Sequence, residues 1–179
     1  MTDRFVLAFV PGVTPAKWIG AWRERMPRTP IELLPVPQDE ALQSLRDGTA
    51  AIAIVRLPVA SDGFSVIPLY NEVPVVVAGK DHPIAAFESL TLAELADEQL
   101  VDGQDAAAVE LVAATDCIAI MPHSIARLHA RKDLVARPVT DAPETRVGLV
   151  WLEAQTTPWV EEFVGIVRGR TANSSRGKR

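Results

Sequence analysis

Residues 5–55 read FVLAFVPGVTPAKWIGAWRERMPRTPIELLPVPQDEALQSLRDGTAAIAIV, and their order decides the fold. FVLAFV (5–10) is a continuous apolar run, the pattern of a strand buried on both faces, and Pro11 and Gly12 break it. Thr14 followed by Pro15 is an N-cap and first-turn signal. Trp18, Trp22 and Met26 then recur on one helical face until Pro27. IELLPV (31–36) is a second strand, with Pro35 marking an edge or a strand end. Asp39–Asp47 is a short helix that buries Leu42 and Leu45 and closes at Gly48. AAIAIV (50–55) is the third strand. A βαβαβ start with right-handed crossovers places these strands in one parallel sheet.

Working outward, SVIPLY (65–70) and VPVVVAG (73–79) are two β runs separated by Asn71 and Glu72. Thr91 and Glu94 fit a capping box with Leu92 and Leu95 behind it. Leu100–Val101 opens a short strand ending at Asp102 and Gly103. Asp105–Ala114 is Ala-rich and helical. CIAIM (117–121) is a buried strand stopped by Pro122, and Ser124 caps a helix carrying Ile125 and Leu128. LVARPV (134–139) and RVGLVWL (146–152) are further strands. Thr157-Pro158 repeats the cap signal before a helix lined by Val160, Phe163, Val164 and Val167. The expected architecture is an α/β protein of two lobes, with chain crossings near 71–82 and 140–150.

At 179 residues, 48% hydrophobic and 23% charged, the chain is neither disordered throughout, collagenous nor a coiled coil. No apolar run approaches the roughly 18 residues of a membrane span. MTDRFVLAFVPG lacks the regions of a signal peptide, so the cytoplasm is the expected compartment. The single cysteine, Cys117, excludes a disulfide framework or a multi-cysteine metal site and is expected to be a small buried hydrophobe. The net charge is -5, and Arg168, Arg170, Arg176, Lys178 and Arg179 supply +5 of it, which leaves -10 for residues 1–167. An acidic body repels a phosphate backbone, so specific DNA binding by the chain alone is not expected.

No catalytic constellation stands out. His123 and His129 are six residues apart and lie on different helical faces, and His82 reads as a turn residue. Ser124 has no G-x-S-x-G elbow around it, and neither G-x-G-x-x-G nor a Walker sequence occurs. No metal and no cofactor is expected. The remaining signal is positional: in open α/β sheets, ligands bind outside the carboxyl ends of the strands. Those ends supply Gly12, Val13 and Thr14; Arg56 and Leu57; Gly103; and Pro122, His123 and Ser124. Thr14 and Ser124 at helix starts and the Arg56 guanidinium favour an anion. The competing reading is that both hydroxyls merely cap and Arg56 is solvated.

The order of segments resembles the effector-binding domain of LysR-type transcriptional regulators. The resemblance is carried by FVLAFVPGVTPAKWIGAWRERMP, IELLPVPQDEALQSLRDGTAAIAIVRLP, PLYNEVPVVVAGKDHPIA with its His-Pro pair, LTLAELADEQLV, CIAIMPHSIAR and VWLEAQTTPWVEEFVGIV, over roughly residues 4–168. It implies two Rossmann-like lobes joined by two crossover strands, as in type 2 periplasmic binding proteins. Lobe I would span 1–72 and 143–168, lobe II 73–142, and 169–179 a disordered basic tail. It also implies a small effector, often a carboxylate or aromatic metabolite, in the interlobe cleft, and pairing of effector domains through helices. With no catalytic constellation, the chain is expected to be a non-enzymatic binding domain that works through protein partners. It is expected to form a homodimer through its first helix, where Ile19 and Ala21 widen the apolar surface of Trp18 and Trp22 beyond what one sheet face need cover. The winged helix-turn-helix that precedes this domain in the family is expected to be missing, since Met1 stands three residues before Arg4. Lobe II is expected to be shorter by about one βα unit. An interaction module with a degenerate cleft and a small enzyme on the same scaffold remain open alternatives.

Overall fold

The computed structural model describes residues 4–60 and 62–169. Most of the basic tail, from residue 170 onward, lies outside the described residues. The chain divides into two compact units, one formed by Met1–Leu69 with Gly148–Arg179, the other by Tyr70–Val147.

The first unit contains β1 (Phe5–Phe9), α1 (Ala16–Arg25), β2 (Ile31–Pro35), α2 (Gln38–Arg46), β3 (Ile52–Leu57) and α5 (Pro158–Val167). β4 (Phe64–Glu72) and β8 (Thr145–Leu152) complete its sheet and run on into the second unit. The sheet order is β2-β1-β3-β8-β4, and β1 lies parallel to both β2 and β3. The expected parallel start is therefore present. Pro35 closes β2, an edge strand, where a missing N–H disturbs no inner ladder.

Trp22 is the centre of one side of this core. It stacks on Phe5 at 4.5 Å and meets Phe163 of α5 at 5.9 Å. Its indole Nε1 donates to the Thr29 carbonyl at 2.9 Å, which satisfies the one polar atom buried with the ring. Trp18 and Ile19 are buried as well, so α1 does not carry the exposed apolar surface its sequence suggested.

α1 also begins later than Thr14 and Pro15 predict. Pro15 takes the N-cap place and its carbonyl accepts from Trp18 and Ile19 N–H, so Thr14 lies one residue too early to cap. By contrast, Thr157 Oγ1 does accept from Val160 N–H at 3.3 Å, with Pro158 in the first turn. Asp39 and Glu40 sit in the first turn of α2, favourable against the helix dipole. Gly48 just beyond that helix takes φ 76°, the left-handed conformation glycine adopts without strain.

The second unit holds a sheet of order β6-β5-β7, with β5 (Pro74–Gly79) antiparallel to β6 (Ala119–Pro122) and β7 (Leu134–Pro138). α3 (Ala106–Ala114) and α4 (His123–Leu128) pack on it. β5 alternates its side chains between two cores. Val75 and Val77 join Val109, Val112, Met121 and Ile125, whereas Val76 and Ala78 join Ile84, Leu90, Leu95, Ile118 and Val139.

Several details depart from the expected elements. The strand at Leu100–Val101 is only a bridge to Ile118. The capping box forms, with Thr91 N–H on Glu94 Oε2 at 2.7 Å and Glu94 N–H on Thr91 Oγ1 at 3.4 Å, but it starts a single 3-10 turn at Ala93–Leu95. Cys117 is half-buried rather than buried and precedes β6. His82 is the expected turn residue: its Nδ1 accepts from Ile84 N–H at 3.2 Å and its Nε2 lies 3.3 Å from Glu98 Oε2.

Candidate functional site

The residues singled out from the sequence fall in both units, and each group is described within its own unit. In the first, β1 and β3 are parallel neighbours, so the loops leaving their carboxyl ends start side by side. Arg56 joins them: its Nη1 donates to the Pro11 carbonyl at 2.9 Å. Its guanidinium thus braces the β1–α1 loop, so the side chain is not merely solvated. Gly12 turns the loop at φ 86°, Val13 is buried with its N–H on the Val10 carbonyl, and Thr14 is exposed.

The backbone of Arg56 is held by a residue the sequence reading missed. Gln38, first residue of α2, accepts from Arg56 N–H at 3.0 Å and donates Nε2–H to the Arg56 carbonyl at 2.6 Å. A side-chain amide carries both a donor and an acceptor, so it can continue a strand ladder where no strand remains. Its only signal in the sequence is an amide opening a helix just after an edge strand. Leu57 lies over Gly148 of β8: a methyl group on Gly148 would stand 2.7 Å from Leu57 Cδ1. The Leu57–Pro58 peptide is cis.

In the second unit, Gly103 enters α3 at φ 118°, and Asp105 caps that helix through Ala108 N–H at 2.9 Å. Pro122 ends β6 opposite Pro74. His123 N–H donates to the Val73 carbonyl at 2.9 Å, which ties the start of α4 to the residues entering β5. Ser124 does not cap α4. The cap position belongs to Pro122, so Ser124 stands inside the first turn, where its hydroxyl donates to Glu72. Glu72 is only 6% exposed, a buried carboxylate at the end of β4. Nothing in the one-dimensional pattern marked it beyond its place between two β runs. A hydroxyl donating to a carboxylate is a hydrogen-bonding pair, unlike the hydroxyl–imidazole pair of covalent catalysis.

Among the described residues, no group of three or more His, Cys, Asp or Glu could hold a metal ion, and no helix is long and apolar enough to cross a membrane.

These loops, on these strands, are those of a known family: the LysR substrate binding domain model matches residues 4–106 and 103–172. The chain belongs to that family. It is 30% identical over 95 residues to the Hca operon transcriptional activator HcaR of Escherichia coli K12, a match covering 51% of this chain and 32% of the activator. The chain therefore matches only about a third of that relative's length. The BenM effector-binding domain with its effector benzoate superposes with a TM-score of 0.75 at 17% identity, covering 98% of each chain. A hydrogen-peroxide-bound mutant of OxyR from Corynebacterium glutamicum gives 0.75 at 23% identity, covering 94% of this chain and 68% of that one. The fold is accordingly the α/β, type 2 periplasmic-binding-protein-like fold of LysR effector-binding domains.

Proposed function

We propose that this chain is a non-enzymatic effector-binding domain of transcription regulation that takes up a small molecule reversibly. The observation that carries the reading is the carboxyl edge of the first unit. There Arg56 ties the loop after β1 to the end of β3 and Gln38 ties the start of α2 to it, at the place where open α/β sheets bind ligands, in a chain of the LysR substrate-binding family. Gly12, Val13, Thr14, Arg56 and Leu57 are proposed as one set of effector contacts. Gly103, Pro122, His123 and Ser124, in the second unit, are proposed as another. An anionic group on the effector would meet the Arg56 guanidinium, in the cytoplasm, and a protein partner would relay the response. A homodimer is part of the proposal. Its support moves from α1, whose Trp18, Ile19 and Trp22 are buried, to α3, which exposes Ala106, Ala107, Ala114 and Leu111, the last at 48%.

A native mass spectrum of the purified chain tests the reading by showing a co-purified small molecule and the subunit count together. The molecule found should raise the melting temperature of the wild type. Arg56→Ala should weaken it about tenfold, the worth of one charge-assisted hydrogen bond. A purified chain that carries no small molecule, and is stabilised by none of a metabolite library, refutes the proposal in favour of an interaction module. Turnover of the bound molecule would refute it in favour of an enzyme.

A further inference from the structure

β3 runs on past the last residue of β1 that pairs with it. Val10 N–H donates to the Ile54 carbonyl, and a continuing parallel ladder would next carry Arg56 N–H to the Val10 carbonyl. That carbonyl accepts from Val13 N–H instead, because the chain turns at Pro11 and Gly12. Gln38 stands in for the departed strand. Its Oε1 accepts from Arg56 N–H at 3.0 Å and its Nε2 donates to the Arg56 carbonyl at 2.6 Å. Helix α2 does not need these bonds to dock, since Ala41 and Leu45 already bury it at 0% and 1% exposure. What the amide holds is the backbone from which the Arg56 guanidinium reaches the Pro11 carbonyl at 2.9 Å. All three residues belong to the first unit.

We propose that Gln38 is the positioning residue of the effector site: it fixes the end of β3, and through Arg56 it holds the β1–α1 loop in one geometry before a ligand binds. This rests on the effector-binding reading above and deepens it, by naming what preorganises that edge. Ordering done in the free protein is not charged against binding, so affinity rises. The position needs a donor and an acceptor on one side chain, which an amide has. A carboxylate there would set an acceptor oxygen against the Arg56 carbonyl.

The test follows the isotope-labelled full chain by NMR, with benzoate as the probe anion. Gln38→Ala should speed exchange of the Arg56 amide about tenfold or more, shift the Arg56 Nε–H signal and weaken benzoate about tenfold, as one lost charge-assisted contact would. In an Arg56→Ala background the same substitution should weaken benzoate no further, because no guanidinium remains to be positioned. A merely structural role would lower the melting temperature in both backgrounds and leave the Arg56 signals and the affinity alone. Gln38→Glu supplies a pH signature. Glutamate ionises near about pH 4.3, and the facing carbonyl disfavours the ionised form, so its folded pKa is raised. Protonated, the new carboxyl has a donor and an acceptor, as the amide does. Its Arg56 amide signal should therefore match the wild type near pH 4 and depart from it as pH rises, and this decides the matter should Gln38→Ala not fold. Arg56 signals unmoved by Gln38→Ala, a benzoate loss that adds to that of Arg56→Ala, or a Gln38→Glu signal that differs equally at every pH, would each overturn this proposal alone. A co-purified small molecule, if benzoate does not bind, takes its place as the probe. If the wild type binds neither benzoate nor inorganic phosphate and carries no small molecule, the effector-binding reading itself fails and takes this one with it.

Discussion

Gly148→Ala examines the packing that supports the loop after β3. Gly148 on β8 faces Leu57 on the neighbouring strand, and an added methyl would stand 2.7 Å from Leu57 Cδ1 and 3.0 Å from both Cδ2 and Cγ. Carbon atoms rest at about 3.5–4.0 Å, so Leu57 must withdraw by roughly 1 Å. Turning the terminal methyls does not suffice, because Cγ itself is too close. Overpacking of this kind costs about 1–3 kcal/mol. Replacing glycine by alanine in a strand returns about 0.5–1 kcal/mol of backbone entropy. The expected net loss is therefore about 1 kcal/mol, with effector affinity reduced because Leu57 is a proposed contact. In a Leu57→Ala background the clash is gone, and the same substitution should become neutral or stabilising by about 0.5 kcal/mol. Urea denaturation of the four proteins gives the coupling directly, expected at about 1 kcal/mol or more. An equal effect of Gly148→Ala in both backgrounds would refute the argument.

Trp22→Phe should destabilise by about 1–3 kcal/mol in the same assay, because it leaves the buried Thr29 carbonyl without its donor. An unchanged denaturation midpoint would show that water or another donor replaces the indole. Below about pH 4 the chain should lose stability in part through Asp133, whose carboxyl Arg131 holds below its ordinary value by hydrogen bonding. A depressed folded pKa contributes stability above the unfolded pKa and loses it as pH falls through the folded one. Asp133→Asn should therefore flatten the melting temperature between pH 5 and pH 3, and an identical slope counts against it. Light scattering at tens of micromolar should give a dimer mass, lowered by Leu111→Glu; a monomer for the wild type removes the pairing proposal. The chain should retard DNA only at low salt and without sequence preference, given a body at -10 and +5 from Arg168 onward. A sequence-selective footprint at about 150 mM salt would contradict that.

Element type and order were legible wherever a local rule decides them. FVLAFV and AAIAIV had to be inner strands because each is apolar on both faces. Thr157-Pro158 had to start a helix because its cap needs nothing beyond its own first turn. The same rule misread Thr14-Pro15 and Ser124, where the helix starts are set one residue later and two residues earlier by contacts elsewhere. The exposure of α1 was misjudged for a related reason. Which helix face stays open depends on what packs against it, and α5, which covers it here, is more than a hundred residues away in sequence.

The sequence by itself determined the α/β class, the parallel start and the membership of the LysR substrate-binding family. Hydrophobic period, proline and glycine punctuation and segment order are properties of short stretches of chain. Only the tertiary structure decided the chemistry at the loops. It placed Gln38 against the backbone of Arg56, Arg56 against Pro11, Leu57 over Gly148 and Glu72 against Ser124. Each of these pairs lies 18 or more residues apart, and a hydrogen bond or a steric contact depends on ångströms in space, which no spacing along the chain records.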